Sequence, residues 1–313
     1  MIRPRGLIFG DTIGIIAPAG PSTGEKVEAS HRELAAMGFK VKIGSSCYRK
    51  YGYLAGEDSL RADDINSMFE DGDVDGIICL RGGYGTLRIL DLLDYDLIAI
   101  NPKVFIGYSD ITALHIALNL KAGLVTFHGP MAAPDIAAGL DRFSMESLYN
   151  SILGERAGIG KLENPGDEKV EIINEGIAEG TIIGGNLSLI VSTLGTPYEV
   201  DLRGKLLFIE EIGERPYRID RMLNHLRLAG KLKDAEGIIL GDFRACDPMD
   251  GKEEHSLSLR QVIGDIIESI GKPCIANVRA GHCKPMITIP LGAKARLDGY
   301  SGELEVLERP IMD

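Results

Sequence analysis

The sequence predicts an α/β fold, with a doubly wound, mostly parallel sheet in an N-terminal domain and a smaller, mixed, β-rich C-terminal domain. Short, almost wholly apolar segments alternate with amphipathic ones over residues 1–150, which is typical of a parallel sheet covered by helices on both faces. Residues 155–176 are polar and show no sustained periodicity of apolar residues. They precede a C-terminal half in which Gly-rich turns join short apolar runs. At 313 residues the chain is long enough for two domains. We therefore expect domains at 1–150 and 177–313, joined by a connection at 151–176.

The N-terminal domain is predicted from alternating strand and helix patterns. Strands are expected in the segments DTIGII, FKVKIG, VDGIICL, KVFIGY and LVTFH. Helices are expected in the segments STGEKVEASHRELAAMG, SLRADDINSMFED and DITALHIALNLKAG. Ser22 or Thr23 is expected to cap the first helix, and Gly38 is expected to end it.

The C-terminal domain has a different character. Helices are expected in GTIIGGNLSLIVSTLG and PYRIDRMLNHLRLAG, and strands in KLLFIEE, AEGIILGDF and KPCIANV. The final segment, PMITIPLGAKARLDGYSGELEVLE, combines short apolar runs with Gly-rich turns, which indicates some antiparallel β structure.

Charge and composition limit the partners of the chain. The 34 Lys and Arg residues are outnumbered by 46 Asp and Glu residues, and this net charge of −12 argues against nucleic acid or an anionic membrane surface as the main partner. The apolar N-terminus is interrupted by Gly6, Gly10 and Asp11, so it is interpreted as a strand rather than a signal peptide, and no apolar run is long enough for a transmembrane helix. The five cysteines are scattered without C-x-x-C spacing, which indicates reduced thiols in a cytoplasm: Cys47, Cys79, Cys246, Cys274 and Cys283.

Polar residues that directly follow an apolar strand are the first candidates for chemistry, because ligands of open parallel sheets bind beyond the carboxyl ends of the strands. Four segments qualify: RGGYG at 81–85, YSD at 108–110, the Glu210–Glu211 pair, and GHCKP at 281–285. The RGGYG glycines let backbone N–H groups approach a ligand, with the Arg81 cation beside them. The turn matches neither G-x-G-x-x-G nor the P-loop pattern, so it is interpreted as an oxyanion site or as a plain tight turn.

The segment VFIGYSDITALH, 104–115, allows two interpretations of Ser109. Helix N-termini prefer Ser and Asp, so Ser109 is suited to be an ordinary cap. The junction of a strand and a helix also suits a nucleophile. Glu210 or Glu211 and His282 each follow a predicted strand, and they supply an orienting acid and a base for a catalytic triad. Adjacent strand residues point to opposite faces, so one glutamate of the pair is expected to face the site.

Other histidines and metal chemistry are weaker candidates. His128 ends a predicted strand, whereas His31, His115 and His225 fall within helical patterns. The H-E-x-x-H spacing of a zinc hydrolase does not occur in the sequence. We therefore expect neither a metal nor a cofactor.

Seven segments, in order and over most of the chain, resemble the LD-carboxypeptidase family of serine peptidases (muramoyltetrapeptide carboxypeptidases), which also contains the microcin-immunity proteins. They are GDTIGIIAPAGP, RGGYG, FIGYSDITALH, TFHGPM, IIGGNLSLI, LLFIEEIGERPYRIDRML and AGHCKPMITIPLGAKARLD. The resemblance implies a triad of Ser109, Glu210 and His282, with Glu211 as the alternative acid. The oxyanion donors that it implies are backbone N–H groups, those of Gly82, Gly83 and Asp110.

Three residues are hypothesised to contact the substrate: Arg81, Tyr84 and Asn186. A guanidinium suits the free carboxylate that a carboxypeptidase must hold, and Arg81 lies beside the proposed oxyanion turn. Asn186, in GGNL, is equally suited to cap the helix that follows.

The resemblance implies removal of the terminal D-alanine from murein tetrapeptides, by cleavage of an L,D bond, in peptidoglycan recycling. The enzyme is expected to be a cytoplasmic homodimer that takes a small peptide substrate and needs no metal. One alternative is a microcin-immunity-type hydrolase of acyl-adenylate-like toxins, which the absence of tryptophan makes less favoured because that branch stacks an aromatic ring on the nucleobase. The other alternative is a non-catalytic protein that binds a small anion or peptide.

Overall fold

The structure, a computed structural model, describes residues 1–166, 168–248 and 253–312, and these form two compact units. The first unit comprises residues 1–158, 288–292 and 309–312. The second unit comprises the described residues of 159–287 and 293–308. Two short segments late in the sequence therefore belong to the first unit.

The first unit contains a sheet of mostly parallel strands. Its strands are β1 (Thr12–Ile16), β2 (Lys40–Ile43), β3 (Gly76–Cys79), β4 (Val104–Gly107), β5 (Thr126–His128) and β12 (Ile289–Leu291). They lie in the order β12-β5-β4-β3-β1-β2, and β12 is antiparallel to β5 whereas the others run parallel. Strands β3 and β4 are buried along their whole length, as their apolar sequences predict.

Helices cover this sheet. They are α1 (Gly24–Ala36), α2 (Asp58–Glu70), α3 (Tyr95–Ile100), α4 (Thr112–Ala117) and α5 (Arg142–Ile152). Thr23 is the N-cap of α1, where its side chain accepts a hydrogen bond from Lys26 N. Gly38 follows this helix with a φ of 97°, a conformation that glycine adopts without strain.

The second unit contains a mixed sheet. Its strands are β6 (Gly160–Lys161), β7 (Glu171–Asn174), β8 (Ile177–Asn186), β9 (Lys205–Ile212), β10 (Gly237–Arg244), β11 (Cys274–Ala276), β13 (Lys294–Asp298) and β14 (Glu303–Val306), in the order β6-β14-β13-β8-β9-β10-β11-β7. Strands β8 to β11 run parallel, and the flanking strands pair antiparallel. The helices of this unit are α6 (Leu187–Ser192), α7 (Pro216–Leu228), α8 (Lys231–Asp234) and α9 (Leu259–Ile266).

The predicted fold class is confirmed, with two local differences. The segment GTIIGGN, predicted as helix, is the second half of β8. Gly184 and Gly185 have φ values of 133° and 135°, and a Cβ atom on Gly184 would lie 2.0 Å from the Phe208 carbonyl oxygen on the neighbouring strand. These glycines mark close strand contact rather than helix. The stretch 155–176, predicted as a connection, includes β6 and β7.

None of the helices formed by the described residues combines the length and the apolar character needed to cross a membrane.

Candidate active site

Ser109 occupies a strained turn at the carboxyl end of β4. It begins a short 3₁₀ turn, Ser109–Ile111, that leads directly into α4. Its φ is 66°, in the left-handed region that non-glycine residues rarely adopt. The N-cap residue of the turn is Tyr108 rather than Ser109. A serine held in a left-handed conformation between a strand and a helix has the geometry of a nucleophile elbow.

The glycine turn after β3 lies against this serine. A Cβ atom added at Gly82 would be 2.8 Å from Ser109 Cβ, 2.9 Å from its Oγ and 3.3 Å from Asp110 N. The structure therefore brings Gly82 and Asp110 together at Ser109. Gly83, with a φ of 123°, lies against Gly20 in the loop after β1 instead. The absence of a side chain at Gly82 permits the close approach of the turn to Ser109.

Arg81 and Tyr84, the predicted substrate contacts of this turn, are both exposed. The Arg81 guanidinium donates to the carbonyls of Gly82 and Pro21, at 3.2 and 3.4 Å. Tyr84 is 49% exposed, and its ring meets that of Tyr53 edge to face at a centroid distance of 5.6 Å. Both side chains are accessible to a ligand in the first unit.

A buried acid–base pair lies in the second unit. His282 Nδ1 donates a hydrogen bond to Glu210 Oε2 at 2.6 Å, and Glu210 is completely buried at the carboxyl end of β9. Gly281, with a φ of 112°, permits this contact, because a Cβ atom there would lie 2.7 Å from Glu210 Oε2. With Nδ1 engaged as a donor, Nε2 of the neutral imidazole is the nitrogen that can accept a proton.

The electrostatics of the pair favour a charged imidazole. Burial lowers the pKa of His282, but the hydrogen bond and charge of Glu210, together with the charges of Glu211 and Asp242, outweigh it, so the pKa is raised above its ordinary value. Burial raises the pKa of Glu210, and the hydrogen bond from His282 acts against that rise. An acid that stabilises imidazolium in this way is suited to orient a general base.

Glu211, the next residue of β9, is bound by groups at the start of α6 and by the backbone after it. Its carboxylate accepts from Asn186 Nδ2 at 2.9 Å, from the Ser188 N–H and hydroxyl at 2.9 and 2.6 Å, and from Ile212 N at 2.9 Å. Asn186 is 3% exposed and is the N-cap of α6, where its side chain accepts from Leu189 N at 3.4 Å. These contacts favour a structural role for Glu211 and Asn186.

Two charged residues near these groups were not predicted. Asp242 contributes to the raised pKa of His282, and its Oδ1 lies 3.7 Å from Nη1 of Arg279, whose Nη2 donates to Lys284 O at 3.0 Å. Asp242 follows the apolar run IILG, so the rule that selected Glu210 also points to it. Arg61, which is entirely buried in the first unit, had a weaker signal, a charge on the apolar side of a predicted helix.

His128 and His115 are buried within the first unit. Their rings lie 6.4 Å apart, and the ring of His128 also contacts Tyr108 at 5.9 Å. His115 Nε2 bonds to Gly107 O at 2.8 Å, and burial lowers its pKa to about 4. A histidine so fixed is suited to support the backbone before Ser109 rather than to exchange protons.

Among the residues that the structure describes, no group of three or more His, Cys, Asp or Glu side chains is arranged to hold a metal ion.

Comparison with known proteins identifies the family. Family profiles described as the LD-carboxypeptidase N-terminal and C-terminal domains match residues 13–129 and 179–297. A probable murein peptide carboxypeptidase of Bacillus subtilis (strain 168) is 47% identical, over 95% of this chain and 91% of that protein. The microcin C7 self-immunity protein MccF of Escherichia coli is 29% identical, over 97% of this chain and 95% of that protein. The crystal structure of muramoyltetrapeptide carboxypeptidase from Oxalobacter formigenes superposes with a TM-score of 0.80 at 30% identity, covering 94% of this chain and 97% of that one. The chain belongs to the LD-carboxypeptidase family.

Proposed function

We propose that this chain is a serine-type LD-carboxypeptidase that removes the terminal D-alanine from murein tetrapeptides in peptidoglycan recycling. The observation that carries the proposal is the left-handed conformation of Ser109, with Gly82 packed against its Oγ. Such strain is retained at sites where an exposed nucleophile and nearby N–H donors serve a reaction. The murein peptide carboxypeptidase that is 47% identical supports the substrate class.

In the proposed mechanism, Ser109 Oγ attacks the carbonyl carbon of the scissile bond while His282 Nε2 takes its proton. Glu210 holds the other ring nitrogen, which fixes the tautomer and stabilises the imidazolium. The N–H groups of Gly82 and Asp110 donate to the oxyanion that forms. His282 then returns the proton to the amine of D-alanine, and water hydrolyses the acyl-enzyme. No step requires a metal.

Substrate orientation is assigned to the exposed side of the glycine turn. Arg81 is the proposed ligand of the free carboxylate, and Tyr84 lines the same exposed surface. We expect Arg81→Ala to lower kcat/KM, and an unchanged kcat/KM would remove Arg81 from this role. Gly83 remains an alternative oxyanion donor. The contacts of Asn186 favour positioning of the glutamates over contact with substrate. A cytoplasmic location and a homodimer remain predictions.

The test is mass spectrometry of murein tetrapeptide incubated with purified protein and a chelator. We expect wild-type protein to release one D-alanine, and Ser109→Ala to lose about 10³- to 10⁶-fold in kcat. Ser301→Ala, which changes an exposed serine, is the control and should match wild type. Retained turnover in Ser109→Ala would reject the nucleophile. Binding of peptide without turnover by wild type would support a non-catalytic binding protein.

A second candidate function is hydrolysis of acyl-adenylate-like toxins, because MccF, a microcin C7 self-immunity protein, is 29% identical over nearly the whole chain. The two functions share the triad and differ in the leaving group. Measuring kcat/KM for an aminoacyl nucleotide phosphoramidate beside murein tetrapeptide separates them. We expect the tetrapeptide to be the better substrate, and the reverse order would favour the second candidate.

A further inference from the structure

Arg61 is a charged side chain on the buried face of α2. It is 0% exposed, and it shares this face with the apolar residues Ala62, Ile65 and Phe69. Arginine is rarely buried so completely unless its N–H groups have specific partners. The partners of this guanidinium indicate what it does.

The guanidinium joins two loops that follow neighbouring strands. Its Nη1 donates to the carbonyl of Pro18, in the loop after β1, and to that of Gly85, at the end of the glycine turn after β3, the latter at 3.0 Å. Its Nη2 donates to Asp58 one turn earlier on α2. Arg61 therefore connects the carboxyl edge of the sheet to the start of α2.

The same turn is tied to the residue after Ser109. Thr86 N donates to Asp110 Oδ2 at 2.9 Å, and Thr86 Oγ1 donates to Asp110 O at 2.6 Å. Gly85, which Arg61 holds, is the residue before Thr86 and has a φ of 136°. Arg61 is thus connected to Asp110 through the adjacent residues Gly85 and Thr86, with hydrogen bonds at both ends.

We propose that Arg61 is a positioning residue that holds the glycine turn, and with it the Gly82 N–H group, at the distance from Ser109 that oxyanion stabilisation requires. This inference rests on the proposed function. Arg61 touches no reacting atom and acts through Gly85 and Thr86. Its planar fork reaches two carbonyls and a carboxylate at once, which the single ammonium of lysine cannot match.

Energetics separate this role from a purely structural one. Among the described residues, nothing hydrogen-bonds to the buried Nε–H of Arg61. Removing one partner of a buried ion pair is destabilising, but Asp58 is partly exposed and keeps Arg88 as a partner, so Arg61→Met leaves mainly the Pro18 and Gly85 carbonyls without a donor. The reaction, in contrast, depends on donor positions to a fraction of an ångström.

The experiment compares Arg61→Met, Arg61→Lys and the control Arg88→Gln. Arg88 binds the same carboxylate, Asp58, at 2.7 Å, whereas the carbonyls of Pro18 and Gly85 accept from Arg61. We expect Arg61→Met to fold, with kcat on murein tetrapeptide lowered about 10- to 10³-fold and KM little changed. Arg61→Lys should recover part of kcat, and Arg88→Gln should match wild type.

Hydrogen exchange measured by mass spectrometry gives a readout that does not depend on the substrate. We expect faster amide exchange in residues 82–86 in Arg61→Met and unchanged exchange in Arg88→Gln. Wild-type kcat, or wild-type exchange in this segment, in a folded Arg61 variant would overturn the inference. If Arg61→Met fails to fold, Arg61→Lys decides by the same two measurements. Absence of tetrapeptide turnover in wild type would reject the proposed function instead, and the exchange comparison would still test Arg61.

Discussion

The carboxyl ends of the parallel strands in the two sheets are built by different means. After β3 and β4, in the first unit, the geometry is set by the backbone: Ser109 adopts a positive φ, and Gly82 lies against it because it has no side chain. At the ends of β9 and β10, in the second unit, the geometry is set by charged side chains, with Glu210 bound to His282 and Asp242 nearby.

This difference determines which substitutions should impair the contribution of each edge to the reaction. A backbone-built site is sensitive to an added Cβ atom, whereas a charge-built site is sensitive to isosteric changes that remove a charge. The proposed catalytic roles are divided between the two edges in the same way. In the proposed mechanism, the nucleophile and the oxyanion donors are residues of the first unit, and the acid and the base are residues of the second.

Glu210→Gln tests the charge-built edge, with a larger expected effect than a change at Gly82 or Asp242. The amide keeps the shape of Glu210 but cannot stabilise the imidazolium or hold the same tautomer, so we expect kcat to fall about 10⁴-fold. The matched change is Glu211→Gln, on the next residue of the same strand. Its amide group would face donors that now bind a carboxylate, so we expect a loss of about 1–3 kcal/mol in the free energy of unfolding and a smaller loss of kcat.

Steady-state kinetics on murein tetrapeptide and urea unfolding measure the two effects. If Glu211→Gln lowered kcat as much as Glu210→Gln, the assignment of the triad acid to Glu210 would be wrong.

The parts of the molecule that follow from local sequence were the parts that could be predicted. Apolar strands bounded by turns gave the parallel sheets, and polar residues at strand ends gave Glu210 and His282, which the structure joins. The alternation of side chains along a strand also explains why Glu210, and not Glu211, binds His282, whereas Ser188 binds Glu211. The exception was the end of β8, because the segment GTIIGGN was predicted as helix. Its glycines instead permit close contact between strands.

Arg61 could not be assigned from the sequence, for a physical reason. Its spacing with Ala62, Ile65 and Phe69 places it on the buried face of α2, but a charge there is stable only if distant carbonyls meet it. Those carbonyls belong to Pro18 and Gly85, which the local pattern of α2 does not reveal. The positive φ of Ser109 likewise depends on its surroundings.

Gly82→Ala tests the backbone-built edge. The new Cβ atom would be 2.8 Å from Ser109 Cβ, so the turn must move away from the serine and take its N–H group with it. We expect kcat to fall about 10²- to 10³-fold, as for loss of one oxyanion donor. Gly72→Ala is the control, because a Cβ atom there would meet nothing within 4 Å. Equal kcat values for the two alanine variants would show that the turn does not contribute to the reaction.

Asp242→Asn has the smallest expected effect and bears only on the charge-built edge. The charge of Asp242 helps to raise the pKa of His282, and a general base must be neutral to accept the serine proton. Activity should therefore rise with pH as His282 deprotonates. Removing the negative charge destabilises the imidazolium and lowers its pKa, so we expect the acidic limb of the kcat/KM profile to move to lower pH.

The exposed change Asp63→Asn should leave the limb in place. A shift to higher pH, or an equal shift in both variants, would mean that the charge of Asp242 does not act on His282. A shift in the expected direction would show that the acid–base pair is tuned by charges beyond its own hydrogen bond, as the geometry of a charge-built edge requires.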